Sequence, residues 1–97
     1  MADTSHALST SVLKERLEAA FPSLLEELTQ LVAIPSVSSD PAHAADVERS
    51  AEHIRERFAA LGLEAKVLRE SAEDGTEGKP ALVAHTPHIE GAPTVLL

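Results

Sequence analysis

Asp40 to Leu68, DPAHAADVERSAEHIRERFAALGLEAKVL, decides the fold. Asp40 is a good N-cap, because its side-chain oxygen can accept from the free N–H groups that open a helix. Pro41 suits the first helical position, where no N–H is needed. Val47, Ala51, Ile54, Phe58 and Leu61 then recur at spacings of 4, 3, 4 and 3. That period predicts one apolar helical face. Glu48, Arg49, Glu52, Arg55, Glu56 and Arg57 make the opposite, charged face. Gly62 closes the helix as a C′ glycine. Past it the period drops to two: Leu63, Ala65 and Val67 alternate with Glu64, Lys66 and Leu68, which predicts a strand with one buried face.

Upstream, residues 1–8 are polar and unpatterned and read as a frayed terminus. Ser9 to Ala20 is a helical stretch with Val12, Leu13, Leu17 and Ala20 on one side. Pro22 predicts a kink or break at Phe21-Pro22, since proline lacks the donor that a helix interior uses. A second helix then runs from Pro22 to Val32 with Leu24, Leu25, Leu28, Leu31 and Val32 apolar. Ile34-Pro35 ends it, because a residue before proline avoids the α region. Downstream, Ser71 to Lys79 is polar, carries Gly75 and Gly78, and reads as a mobile loop. Pro80 to Thr86 is a second strand, Pro87 to Pro93 a turn around Gly91, and Thr94 to Leu97 a third, wholly apolar-sided strand. The expected fold class is α/β, helices followed by the first strands of a mixed sheet. Ending inside an apolar strand leaves backbone and side chains bare. Residues 9–97 therefore read as an incomplete domain, truncated inside the third strand and weakly stable or aggregation-prone alone.

Composition excludes several function classes. Eight Lys and Arg are scattered among sixteen Asp and Glu, a net charge of −8, which does not suit nucleic acid. With no cysteine there is neither a disulfide framework nor thiolate chemistry. No apolar run approaches the ~20 residues of a membrane span, and the start lacks a signal sequence. A cytoplasmic location is expected.

Candidate chemistry is sparse. His85 and His88 stand three apart with Glu90 close by, a donor set that a metal could use. A strand end and a turn give them no rigid convergence, so the plainer reading is loop histidines. His53 and Glu56 make a solvated pair one helical turn apart. His6 and His43 have no partner in view. Ser36, Ser38 and Ser39 have neither a base nor a nucleophile elbow and serve local hydrogen bonding. Gly75-Thr76-Glu77-Gly78-Lys79 fails as a phosphate loop, because Pro80 follows the lysine and a strand comes next. Glu26-Glu27 and Glu73-Asp74 read as solvated surface. No catalytic, metal or substrate-binding residue is assigned.

Three phrases nevertheless resemble one family in order and distance. They are Leu28 to Ser38 (LTQLVAIPSVS), the helix Ala51 to Leu61 with Gly62 and the strand Ala65-Lys66-Val67, and Gly91 to Leu97 (GAPTVLL). The family is the zinc metallopeptidases that include acetylornithine deacetylase, succinyl-diaminopimelate desuccinylase, carboxypeptidase G and carnosinase-type dipeptidases. The leader and the Thr94–Leu97 approach look more like the dipeptidase branch. The resemblance implies a three-layer α/β/α catalytic domain with two zinc ions. It also implies a bridging Asp, a Glu general base, and a dipeptide or N-acyl amino acid as substrate, in a parent that could be a homodimer. In the family the third phrase leads into a Gly-His-x-Asp sequence bearing the first zinc ligand. None of the family's ligands maps onto a residue here, so this chain alone is expected to be inactive and to act as scaffold. Two other readings stand beside it. One is a free-standing acidic interaction module pairing its sheet edge with a partner strand. The other is a small metal-binding protein using His85, His88 and Glu90.

Overall fold

The computed structural model describes residues 8–97, so of the expected frayed terminus only Leu8 falls within the described residues. The chain divides into two compact units, Met1–Ala33 and Ile34–Leu97. The described residues form a small α/β fold of two α-helices and a two-stranded antiparallel sheet.

Among the described residues of the first unit there is one helix, α1 (Thr10–Val32). Ser9 caps it, its hydroxyl accepting from the Val12 N–H at 3.3 Å. The expected break at Phe21-Pro22 does not occur: Pro22 lies inside a continuous helix. Proline at 22 removes only the N–H that would have bonded the Glu18 carbonyl. Ending one helix there and starting another would orphan up to four carbonyls and four N–H groups. Neither Ala20 nor Phe21 is a capping residue, and the flanks are rich in Leu, Glu, Lys and Arg, all good helix formers. One lost bond is the smaller cost.

The second unit opens on a loop held by backbone bonds, Ser36 N–H to Ile34 C=O at 2.7 Å and Asp40 N–H to Val37 C=O at 3.2 Å. Asp40 caps as expected, accepting from the Ala42 N–H at 2.9 Å, but what it caps is a 3₁₀ turn, Pro41–His43. The turn leads into α2 (Ala44–Ala60). Gly62, at φ +86°, ends α2. The Gly62 N–H bonds the Ala59 carbonyl and the Leu63 N–H bonds the Phe58 carbonyl, at 3.0 and 3.2 Å. That is the paired closure of a Schellman motif, and it needs the left-handed residue that glycine adopts without strain.

Strands β1 (Glu64–Leu68) and β2 (Ala81–His85) follow, paired antiparallel from Glu64↔His85 to Leu68↔Ala81. Along each strand half-buried residues alternate with exposed ones: Ala65 and Val67 on β1, Leu82 and Ala84 on β2. α2 packs on the hairpin, more on β1 than on β2. Its Val47, Ala51, Ile54 and Phe58 are half-buried, as their spacing predicts, whereas Leu61 is 72% exposed.

Two expectations are corrected here. Ser71 to Lys79, expected as a mobile loop, is a loop that a bridge and hydrogen bonds of its own fold into a hairpin tip. Ser71 pairs with Glu77, and the Ala72 N–H bonds the Thr76 carbonyl at 2.8 Å. Asp74 Oδ1 accepts from the Thr76 N–H at 2.9 Å, and Gly75 takes φ +83°. Asp-Gly is a turn signal in its own right. Thr94–Leu97 forms no strand, and the sheet is antiparallel rather than mixed. A strand exists through its ladder, and these residues have no ladder partner here. Val95 and Leu96 are 77% and 95% exposed.

Candidate functional site

No described residue is fully buried, polar or apolar. Every candidate side chain therefore lies at a surface, where water screens charge and holds pKa shifts small.

The two histidines at the open end of the hairpin do not converge. His85, the last residue of β2, stands opposite Glu64, the first of β1, and their Nε2 and Oε2 lie 3.2 Å apart. The register makes this pair. The other ring nitrogen of His85 is 3.2 Å from the Thr86 carbonyl. His88 turns to a different carboxylate, with Nε2 3.3 Å from Glu90 Oε2. Each imidazole is thus held by its own acid. Among the described residues no three His, Asp or Glu side chains group as a metal would require.

His43, read from the sequence with no partner in view, has two carboxylates beside it. Its Nδ1 lies 2.9 Å from Asp46 Oδ2, its Nε2 4.0 Å from Asp40 Oδ2, and Arg49 bonds the other Asp46 oxygen at 2.7 Å. Asp40, His43, Asp46 and Arg49 are spaced by three, so the 3₁₀ turn and the start of α2 stack them. Asp46 also sits in the first turn of α2, where the helix dipole favours an anion. The cluster fastens the helix start. His53 is half-buried, but no hydrogen bond or ion pair joins it to Glu56 among the described residues. His6 lies outside the described residues.

Other charged groups tie elements together. Arg69, just past β1, reaches Glu48 of α2 with both Nε and Nη2, and its Nε lies 3.6 Å from Glu77 Oε1. The hydrogen bond to Glu48 is the main reason its guanidinium pKa is raised. Arg55 forks onto Glu52 with Nε and Nη2 at 2.6 to 2.9 Å, which lowers the Glu52 pKa. Asp74 is held below the usual carboxylate range, first by hydrogen bonding from the Thr76 side chain and then from its backbone N–H. Ser36, Ser38 and Ser39 are exposed, and no side-chain hydrogen bond of theirs occurs among the described residues. The bonds in that loop are backbone ones.

The spacing of three along Asp40–Arg49 could have revealed the His43 cluster from sequence. Nothing in the sequence pairs Glu48 with Arg69, twenty-one positions on. Comparison with known protein families, with characterised proteins and with solved structures finds no match. Among the described residues no helix is long and apolar enough to cross a membrane.

Proposed function

We propose that this chain is the opening, scaffold-forming segment of a zinc-dependent dipeptidase or deacylase, a cytoplasmic hydrolase of dipeptides or N-acyl amino acids. By itself it is inactive. The observation that carries the reading is the ordered set of three phrases, LTQLVAIPSVS, the α2–Gly62–β1 step, and GAPTVLL. Two of the phrases run across structural joints. The Ile-Pro-Ser phrase begins just after α1 ends at Val32, and Gly62 closes α2 two residues before β1.

The lack of any fully buried residue among those described is a second support. Apolar faces with helical and strand periods are present, yet they cover one another only by half. Elements of this kind suit one side of a larger three-layer α/β/α domain, in which further strands and helices complete the core. In that setting a rigid sheet would aim the ligand-bearing residues that follow the third phrase in the family. The two zinc ions would be held by those residues and not by His85 or His88, so no catalytic step is assigned to a residue of this chain.

The test is zinc-dependent hydrolysis of a dipeptide panel by the 97-residue chain, beside a form extended through the codons that follow Leu97. Activity confined to the extended form is expected. Hydrolysis by the short chain, abolished in a His85→Ala/His88→Ala double variant, would overturn the reading.

A further inference from the structure

The hairpin tip carries a sequence with chemistry of its own. Asp74 is followed by Gly75, both are exposed, and a Cβ built on Gly75 would meet nothing within 4 Å. A backbone nitrogen with no side chain beside it is free to approach the carboxyl carbon of the preceding residue. The other aspartates lack this freedom. Asp3 and Asp46 precede the β-branched Thr4 and Val47, which crowd the nitrogen. Asp46 is also bound to Arg49 at 2.7 Å. Asp40 precedes Pro41, whose nitrogen has no hydrogen to lose. The chain contains no asparagine.

We propose that Asp74-Gly75 is a site of spontaneous backbone isomerisation, and that the folded tip holds the reaction in check. The Gly75 nitrogen attacks Cγ of the protonated Asp74 side chain. The N–Cγ bond forms, the Cγ–O bond breaks, and a water leaves with the amide hydrogen and the carboxyl hydroxyl. The succinimide so formed takes water back at either carbonyl. Opening at Cγ restores aspartate. Opening at the main-chain carbonyl leaves isoaspartate, whose backbone runs on through Cγ. Water lost equals water regained, and no oxidant or reductant takes part.

Both reacting groups are tied in the fold. The Gly75 N–H donates to the Ala72 carbonyl at 2.9 Å. Asp74 Oδ1 accepts from the Thr76 N–H at 2.9 Å, which turns the carboxylate to the amide beyond the one it must meet. Hydrogen bonding from Thr76, its side chain first, also lowers the Asp74 pKa and so depletes the protonated form that reacts. Reaction therefore waits on opening of the tip. Each net hydrogen bond is worth about two- to tenfold in population, so the two ties together slow the folded chain roughly tenfold or more. Isoaspartate lengthens the main chain inside the turn that Ala72 N–H and Thr76 C=O close at 2.8 Å. An isomerised chain should lose that closure and the Ser71–Glu77 bridge beside it. The inference is independent of the hydrolase reading.

The test holds the purified 97-residue chain warm at mildly acidic pH and maps its peptides by electron-transfer fragmentation, which separates isoaspartate from aspartate. Isoaspartate is expected at Asp74 ahead of Asp3, Asp40 and Asp46. Unfolding in urea should speed it about tenfold. Gly78→Ala, whose Cβ would lie 2.7 Å from the Glu70 carbonyl oxygen, should loosen the tip and speed it severalfold without urea. Should that variant unfold, the urea comparison decides alone. No isoaspartate at Asp74 even in urea, or another aspartate reacting first, would overturn the site. A rate at Asp74 that is the same folded, in urea and in Gly78→Ala would overturn the restraint.

Discussion

α1 and α2 are both amphipathic helices, yet they meet opposite circumstances. α2 lays Val47, Ala51, Ile54 and Phe58 on a hairpin and leaves them half-buried. Arg69 adds a charged tie from the hairpin to Glu48. α1 has the longer helix and more leucine, but Leu17, Phe21, Leu25 and Leu28 are each more than half exposed. An apolar stripe is thus a demand for cover, and it does not itself supply the cover. α2 finds its mate close in sequence, because Gly62 turns the chain straight into β1. α1 is followed by the loop 33–40, which brings no strand back to it within its own unit.

The comparison breaks most readily at Pro22. A helix-interior proline costs ~3 kcal/mol against alanine, and α1 has no buried face to offset it. Pro22→Ala should therefore raise the helical content of residues 10–32 more than any other single change, read by circular dichroism and amide exchange. No gain would mean that α1 is held by contacts its exposure does not reveal.

Phe58 and Phe21 give the next contrast. Truncating a half-buried aromatic should cost roughly half the ~3–5 kcal/mol of a fully buried one, so Phe58→Ala should lose about 2 kcal/mol in urea unfolding. Phe21→Ala should lose less than about 0.5 kcal/mol. Equal losses would erase the difference between the two helices.

A smaller effect is expected at Gly78. A Cβ there would lie 2.7 Å from the Glu70 carbonyl oxygen, which also accepts the Gly78 N–H. Both are backbone, so Gly78→Ala should cost about 1 kcal/mol and speed amide exchange at Gly78 and Ala72 while leaving α1 unchanged.

The smallest is the response of the hairpin tip to acid. The Asp74 pKa is lowered in the folded chain. Its contribution is then fully present above the unfolded value near ~3.9 and is lost as pH falls through the lower folded one. The Thr76 amide resonance should hold steady from neutral pH down to about 4 and move only below it. In Asp74→Asn it should not move at all.

Much of the second unit was legible residue by residue. Asp40-Pro41, the 4-3-4-3 spacing, Gly62 and the alternation after it are local signals that agree with one another, and the structure follows them. Pro22 misleads because propensity weighs one position, while the helix weighs one lost bond against a whole set of orphaned termini. The tip 71–79 misleads because its polar composition hides a turn built from Asp74-Gly75. The absence of a third strand could not be foreseen from Thr94 to Leu97, whose residue types suit a strand perfectly well. As for sites, the sequence already reads His85 and His88 as loop histidines without rigid convergence, while which acid each one meets, Glu64 for His85 and Glu90 for His88, comes from the β register and the turn.

By itself, then, the sequence determined where helices and strands can form, which faces are apolar, that the chain has no cysteine and that its net charge is −8. Those properties depend on neighbours three or four residues away. Tertiary structure alone decided which faces are covered, which acid holds which histidine, that Glu48 meets Arg69, and that Thr94–Leu97 has no ladder. Such outcomes depend on residues distant in the chain arriving at one place, and no local pattern encodes that arrival.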